Sequence, residues 1–257
     1  MFVSEEIVSK IKQKLDEIEE KENIRIIHCI ESGSRAWGFA SPDSDYDVRF
    51  IYVRTPKDYL KLEKTRDVIE WELNDVYDIN GWDIRKTLGL LHKSNPTLFE
   101  WNGSPIVYKT TPQWEKVRGI IDECFMSKAG VYHYLSTARH NYMAYLMDEE
   151  VKLKKYFYVL RPILACKWIL EKGTPPPMLF TELMDAEMED FIRPEVEKLL
   201  EMKMQTPEIG KGRRIGKLHE YIEKQLEEIT HRADAMDGEK ETEWQKLDEV
   251  FYDILGI

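Results

Sequence analysis

Two stretches decide how this chain is read: Ile30-Glu31-Ser32-Gly33-Ser34-Arg35-Ala36-Trp37-Gly38 and Pro42-Asp43-Ser44-Asp45-Tyr46-Asp47-Val48-Arg49-Phe50. In the first, an isoleucine-rich run, Ile24 to Ile30, reads as a strand that enters Gly-Ser and then a potential helix start. Glycine lets the backbone approach a ligand closely. Free N–H groups at a helix start attract phosphate, and a serine hydroxyl adds a donor. In the second, Asp45 and Asp47 stand two apart at the start of a strand. A period of two puts both carboxylates on one face, with Tyr46 and Val48 on the other. Two neighbouring carboxylates repel unless a cation lies between them, and Mg²⁺ favours a few carboxylates plus substrate phosphate oxygens. Either stretch alone has a plainer reading: a Gly-Ser turn, or a polar turn capped by Asp43, Ser44 and Asp45. Ten residues, Arg35 to Ser44, separate the two halves.

Working outward, Ser4 is placed to cap a first helix with Glu5 and Glu6 in its first turn and an apolar stripe of Ile7, Ile11, Leu15 and Ile18. Tyr46 to Val53 reads as the second strand. Val68 to Leu73 and Val76 to Trp82 read as a hairpin around Asn74–Asp75. From Ile84 the pattern is helical, and Asn95–Pro96 ends or restarts the helix before Thr97 to Trp101. A short apolar segment, Ile106 to Tyr108, lies between loops. Beyond Gln113 strand signals vanish. Lys152 to Gly173 reads as a long helix with Leu153, Phe157, Leu160, Leu164 and Trp168 on its apolar stripe and Pro162 inside it. Lys211, Arg213, Arg214 and Lys217 fall in a glycine-flanked loop. The chain therefore divides into a mixed α/β domain, 1–112, and a helical domain, 113–257, expected to pack on it.

Composition bounds the partners. Of 257 residues 42% are hydrophobic, enough for a sizeable core. Lys and Arg number 37 against 48 Asp and Glu, leaving a net charge of −11, so a globally basic nucleic-acid coat is excluded while a local basic groove is not. Cys29, Cys124 and Cys166 are scattered and form no CxxC pair, which argues against zinc and a disulfide framework. No apolar run approaches the ~18 residues that span a bilayer, and Met1 leads into a polar helical pattern rather than a signal peptide. The expectation is a soluble, cytoplasmic protein. His28 lies within a strand and reads as core, and His133 and His140, seven apart, lack the i, i+4 spacing of a metal pair.

Gly-Ser, a ten-residue spacer and Asp-apolar-Asp-apolar together resemble the DNA polymerase beta superfamily of nucleotidyltransferases. A closer resemblance, to predicted nucleotidyltransferases of bacterial and phage RNA repair, is carried by five segments in order. These are Gly33 to Gly38, Ser44 to Arg49, Gly81-Trp82-Asp83-Ile84-Arg85-Lys86, Ser94-Asn95-Pro96 with Glu100, and Lys155-Tyr156-Phe157-Tyr158-Val159-Leu160-Arg161-Pro162. The resemblance implies a polymerase-beta-like sheet with flanking helices, an α+β fold, followed by a helical domain. It implies that Gly33 and Ser34 hold nucleotide phosphates, that Asp45 and Asp47 hold two Mg²⁺ (or Mn²⁺) ions, and that a third carboxylate on a neighbouring strand assists the attacking hydroxyl.

Asp78 and Asp83 compete for that third place. They are five apart, so a regular strand points them to opposite faces. Asp83 stands before Ile84-Arg85-Lys86, where Asp is a favoured helix cap, whereas Asp78 sits in a strand interior, from which Asp is depleted. Asp78 is therefore assigned as catalytic and metal-binding, with Asp83 the second choice. Arg35, Ser44, Arg49, Lys154, Lys155, Tyr158 and Arg161 complete the candidate nucleotide-binding set; for the helical residues the alternative is a solvated face. The expected reaction moves a nucleoside monophosphate from a nucleoside triphosphate to an acceptor hydroxyl, by resemblance an RNA 3′ end. Rival readings are nucleotidylation of a protein or small molecule, and a non-catalytic nucleotide-binding or antitoxin-like module.

Overall fold

Ser4 accepts a hydrogen bond from the N–H of Ile7 and starts α1 (Glu5–Glu22), whose Ile11, Leu15 and Ile18 are buried; Asn23, at φ 49°, ends it in the left-handed region. The computed structural model describes residues 3–74, 76–205, 210–238 and 241–257. After α1 come β1 (Arg25–Glu31), α2 (Gly33–Ala36), β2 (Tyr46–Val53), α3 (Pro56–Tyr59), β3 (Val68–Leu73), β4 (Tyr77–Asp83), α4 (Ile84–His92), α5 (Pro96–Asn102), β5 (Val107–Thr110) and α6 (Pro112–Ile121). The five strands form one sheet in the order β3-β4-β2-β1-β5. β2 and β4 run parallel, and the other pairs are antiparallel. The sheet is thus mixed and mostly antiparallel. The segment around Ile106 to Tyr108, read as a short run between loops, leads into edge strand β5, which completes its backbone hydrogen bonds against β1. Asp75, at the hairpin tip, lies outside the described residues.

Alternation in β4 sorts its side chains. Ile79, Gly81 and Asp83 are buried, while Asp78, Asn80 and Trp82 lie on the more open face. Ile79 joins Val48, Phe50 and Tyr52 of β2 and the apolar stripe of α1 in one core. Gly81 faces Phe50 across the β2–β4 ladder, and a Cβ at Gly81 would stand 2.1 Å from the Phe50 ring. The central parallel pair therefore closes only because position 81 carries no side chain.

The later elements are α7 (Ser127–Tyr145), β6 (Glu150–Lys152), α8 (Lys155–Lys172), α9 (Phe180–Glu187), α10 (Arg193–Gln205), β7 (Lys211–Arg213), α11 (Gly216–Asp234) and α12 (Trp244–Leu255). Two expectations are corrected here. Lys152 belongs to β6 and the helix begins at Lys155; Lys211 and Arg213 lie in β7, not in a loop, and β6 and β7 pair antiparallel. Three residues are too few to display an alternation, so neither strand announces itself. α8 is buried on nearly every side, Phe157, Leu160, Ile163, Leu164 and Cys166 all being fully inaccessible, which marks a core helix rather than an amphipathic one.

The chain folds as two compact units. One holds Met1–Ala36, Asp45–Cys124 and Glu241–Ile257; the other holds Trp37–Ser44 and Phe125–Lys240. The units interleave along the chain, where the loss of strand signals had suggested a single cut at 112. The spacer between the two motif halves belongs to the second unit. There Phe39 is buried against Phe157 and Phe180, with ring centroids 5.1 and 5.4 Å away, and the Trp37 carbonyl accepts the N–H of Phe180 at 2.9 Å. Among the described residues no helix is long and apolar enough to cross a membrane.

Replacing Gly81 by Ala is expected to lower stability by about 1–3 kcal/mol, because Phe50 is fully buried and has no room to yield. Equilibrium denaturation of the variant checks this, and an unchanged midpoint would show that the ring can turn aside.

Candidate functional site

The parallel register of β2 and β4 sets Asp47 directly beside Asp78. Both are half-buried, with side chains 21% and 25% exposed. The Arg49 guanidinium lies between them: one nitrogen donates to Asp47 Oδ1 at 2.9 Å and to Asp78 Oδ2 at 2.6 Å. Its other terminal nitrogen donates to the backbone carbonyls of Asp78, at 2.6 Å, and Val48, at 3.1 Å. A cation thus already occupies the gap between two carboxylates. Burial pushes the Asp47 carboxyl up to about 6; Arg49 opposes that rise, and the charges of Asp45 and Asp78 add to it.

Gly33 closes the other side of Asp47. Its φ is +59°, and a Cβ there would fall 1.9 Å from Asp47 Oδ2. Any side chain at position 33 would therefore meet both a backbone penalty and a collision with the carboxylate. The neighbouring N–H of Ser32 donates to the Asp47 carbonyl at 2.8 Å, so the Gly-Ser turn is laced to the strand that bears the acid. Asp45, exposed, stands just ahead of β2, and its carbonyl accepts from Arg35 Nε at 3.0 Å. The Arg35 guanidinium also lies over the Tyr46 ring, 4.0 Å from its centroid.

A residue without an assigned role in the sequence reading holds this arrangement from behind. Glu31, the last residue of β1, is fully buried. Its Oε1 accepts the Asp47 N–H at 3.0 Å, its Oε2 accepts the Tyr108 hydroxyl at 2.6 Å, and its carbonyl accepts from Ser104 at 2.6 Å. Burial raises its carboxyl to about 7. A charged residue closing an otherwise apolar strand was the available signal, but two of its partners, Ser104 and Tyr108, lie more than seventy positions away.

Asp83 occupies a different place. It caps α4, accepting the Arg85 N–H at 2.8 Å and the Tyr59 hydroxyl at 3.0 Å, and it is buried on the face opposite Asp78. Burial raises its carboxyl. Both oxygens are engaged in holding β4 to α4 and α3. His28 is likewise a core residue, stacked on Trp114 at 4.4 Å and driven to about 4 by burial.

Ser34 lies in α2 of the first unit, beside Gly33, and the remaining candidates lie in the second unit. Ser44 closes a turn with Ser41, their hydroxyls 2.9 Å apart. Arg161 is 3% exposed, so a solvated face is ruled out for it; its guanidinium lies 4.7 Å from the Trp37 ring centroid. Tyr158 meets Trp37 edge-on, and the Lys155 ammonium lies over the rings of Tyr145 and Tyr158, at 3.9 and 4.6 Å. Burial, followed by the charges of Lys154 and Lys152, lowers the Lys155 pKa.

As they stand, no three His, Cys, Asp or Glu side chains among the described residues converge on one point. Two carboxylates that already share a cation nonetheless match the usual protein share of a Mg²⁺ shell, which substrate phosphate oxygens and water complete.

The model of one protein family, described as the RNA repair pathway DNA polymerase beta family, matches residues 7–253. The chain belongs to that family. It is also 48% identical over 233 residues to the uncharacterized protein YcgL of Bacillus subtilis strain 168, covering 90% of each chain. Among solved structures it is similar to a nucleotidyltransferase-like protein from Exiguobacterium sibiricum 255-15, at 14% identity and a TM-score of 0.31, over 95% of this chain and 79% of that one. Family membership makes this a protein of the DNA-polymerase-beta-like nucleotidyltransferase group.

The Glu31 contacts give a pH test. Because the folded-state value lies above the unfolded one, folding binds a proton between about pH 4.5 and 7, and this group stabilises the fold as pH falls through that window. In Glu31→Gln the amide oxygen still accepts from Asp47 while the Tyr108 hydroxyl turns to accept. The variant is expected to fold but to lose that pH-linked gain, so the stability difference between the two proteins should shift towards wild type from pH 8 to pH 5. Denaturation curves at several pH values measure it; parallel curves would refute the linkage. Glu31→Ala should cost about 1–3 kcal/mol by leaving a buried N–H unpaired, and by the same linkage the loss should be larger at pH 5 than at pH 8.

Proposed function

We propose that the chain is a metal-dependent nucleotidyltransferase. It transfers a nucleoside monophosphate from a nucleoside triphosphate to an acceptor hydroxyl, the 3′ end of an RNA, and releases pyrophosphate. The observation that carries this reading is the side-by-side placement of Asp47 and Asp78 with Gly33 pressed onto Asp47. Asp45, Asp47 and Asp78 would hold Mg²⁺ or Mn²⁺, with two ions expected, and the metal supplies charge neutralisation at the transferring phosphorus. Gly33 and Ser34 would bind the phosphates. Arg35, Arg49, Ser44 and the second unit's Lys154, Lys155, Tyr158 and Arg161 are the further candidates for nucleotide contact.

In the reaction the acceptor oxygen attacks the α-phosphorus, the bond from that phosphorus to the β-bridging oxygen breaks, and pyrophosphate leaves. The acceptor proton passes to a carboxylate, for which Asp78 is the candidate. Such a site works by positioning and by neutralising charge. Arg49 holds both aspartates in line, and its permanent charge opposes the rise that burial imposes on Asp47. RNA is favoured as acceptor by the family's association with RNA repair.

The test is incubation with each labelled nucleoside triphosphate, Mg²⁺, RNA and candidate protein acceptors. Label on RNA is expected; label on protein or a small molecule would move the acceptor, and no label anywhere would favour a binding module. Asp45→Ala and Asp47→Ala should each reduce transfer on the order of a thousandfold or more while the protein stays folded, a loss of several kcal/mol of transition-state stabilisation. Asp78→Asn should keep nucleotide binding and lose transfer. Asp83→Asn should keep most activity, because Asn retains the capping oxygen. The reverse pattern for Asp78 and Asp83 would transfer the role to the helix cap.

A further inference from the structure

β6 and β7 place Lys152 directly opposite Lys211, and both side chains are exposed. Like charges facing each other across a ladder destabilise it. Among the described residues neither ammonium has an ion-pair partner. Three residues beyond Lys152, α8 opens with Lys154 as its N-cap and Lys155 as its first residue. Cations at a helix N-terminus oppose the helix dipole. Burial first, and then the charges of Lys154 and Lys152, lowers the Lys155 pKa. Three elements thus bring four lysines together against local electrostatic preference, on a chain whose net charge is −11. The other end of the ribbon is balanced, Glu150 facing Arg213, so the excess is confined to the Lys152–Lys211 end.

Aromatic rings are interleaved with these cations. Lys155 covers one face of Tyr145, which remains 42% exposed, and also covers Tyr158. We propose that the Lys152–Lys211 end of the β6–β7 ribbon, with Lys154, Lys155 and Tyr145, is a binding surface for the backbone and bases of single-stranded RNA. A row of cations tracks phosphates while an exposed ring accepts a base face, the combination that sequence-tolerant single-strand binding uses. An acidic peptide would make no use of the tyrosine. A lone triphosphate is held in concave sites, whereas Lys152 and Lys211 stand on an open ribbon. The inference rests on the reading of RNA as acceptor and assigns the acceptor its own contact surface.

The experiment is fluorescence anisotropy of the full chain with a labelled single-stranded RNA of about twelve nucleotides, without nucleotide, across a series of NaCl concentrations. Lys152→Glu is the chosen variant because it turns the facing lysines into a cross-strand ion pair. The thermal midpoint should therefore not fall, which removes misfolding as an explanation. RNA affinity at low salt should drop about tenfold, and the slope of log affinity against log salt should shallow by roughly 0.7 for each cation removed or neutralised. Tyr145→Ala should weaken binding with little change in slope. Unchanged RNA affinity in Lys152→Glu, or no salt-dependent binding by the wild type, would overturn the proposal. So would an equal loss of ATP affinity in Lys152→Glu, which would make Lys152 and Lys211 part of a triphosphate site, or displacement of RNA by polyglutamate as readily as by polyuridylate, which would make the partner an acidic protein. Binding is read without turnover, so failure of nucleotidyl transfer leaves this result separately interpretable.

Discussion

Asp47 and Asp78 repel each other, and the first unit is organised so that this repulsion is sustained rather than relieved by distance. The β2–β4 register fixes the two acids as neighbours. Gly33 blocks retreat on one side of Asp47, Glu31 grips its N–H from behind, and Arg49 supplies the positive charge that makes the pair tolerable. Each device has a cost. Gly33 adopts a conformation most residues avoid, Glu31 is a carboxyl with no access to water, and Asp47 is driven well above the usual carboxylate range. Structural needs alone do not call for two acids here, because an apolar pair would pack in a sheet without any of these compensations. Clusters of strained backbone and perturbed carboxyls are the expected marks of a site kept for chemistry.

The same constraint reaches into the sheet. Asp78 stays in line with Asp47 only if β4 runs regularly alongside β2, and that needs Gly81 where Phe50 presses from the neighbouring strand. Regularity also carries the alternation along β4 as far as Asp83, which therefore emerges on the buried side, where Tyr59 and the first turn of α4 use it. The division of labour between the two aspartates, one facing its counterpart and one capping a helix, follows from a strand period of two and a separation of five.

Much of this was legible from short-range signals. β2 begins and ends where its alternation does, the Ser4 cap starts α1, and Asp83 carries the signature of a helix cap. What escaped depends on partners distant in sequence. Nothing local tells that Glu31 meets Tyr108, or that Glu150 to Lys152 pairs with a three-residue strand some sixty positions later. Nor does the motif's spacer reveal its allegiance. Trp37 to Ser44 reads as a loop of Gly, Ser, Pro and Asp, yet Phe39 is a core residue of the second unit, packed between Phe157 and Phe180. A single aromatic in a polar stretch is too weak a pattern to announce burial.

Charge arithmetic links the candidate site to its proposed chemistry. Asp45, Asp47 and Asp78 contribute three negative charges, and Arg49 returns one between the last two. The Arg35 guanidinium meets the Asp45 carbonyl and the Tyr46 face, and Asp45 itself is exposed. The cluster thus keeps an acidic excess at its open edge and a fixed cation at its floor. An anionic nucleotide arriving alone would meet repulsion at that edge. The same nucleotide accompanied by a divalent cation would not, because the cation satisfies the carboxylates and the phosphates together. Under the proposed function, a preference for a metal-bound triphosphate over the free anion would follow from this arrangement, in which Arg49 is committed to Asp47 and Asp78 while Asp45 stays exposed.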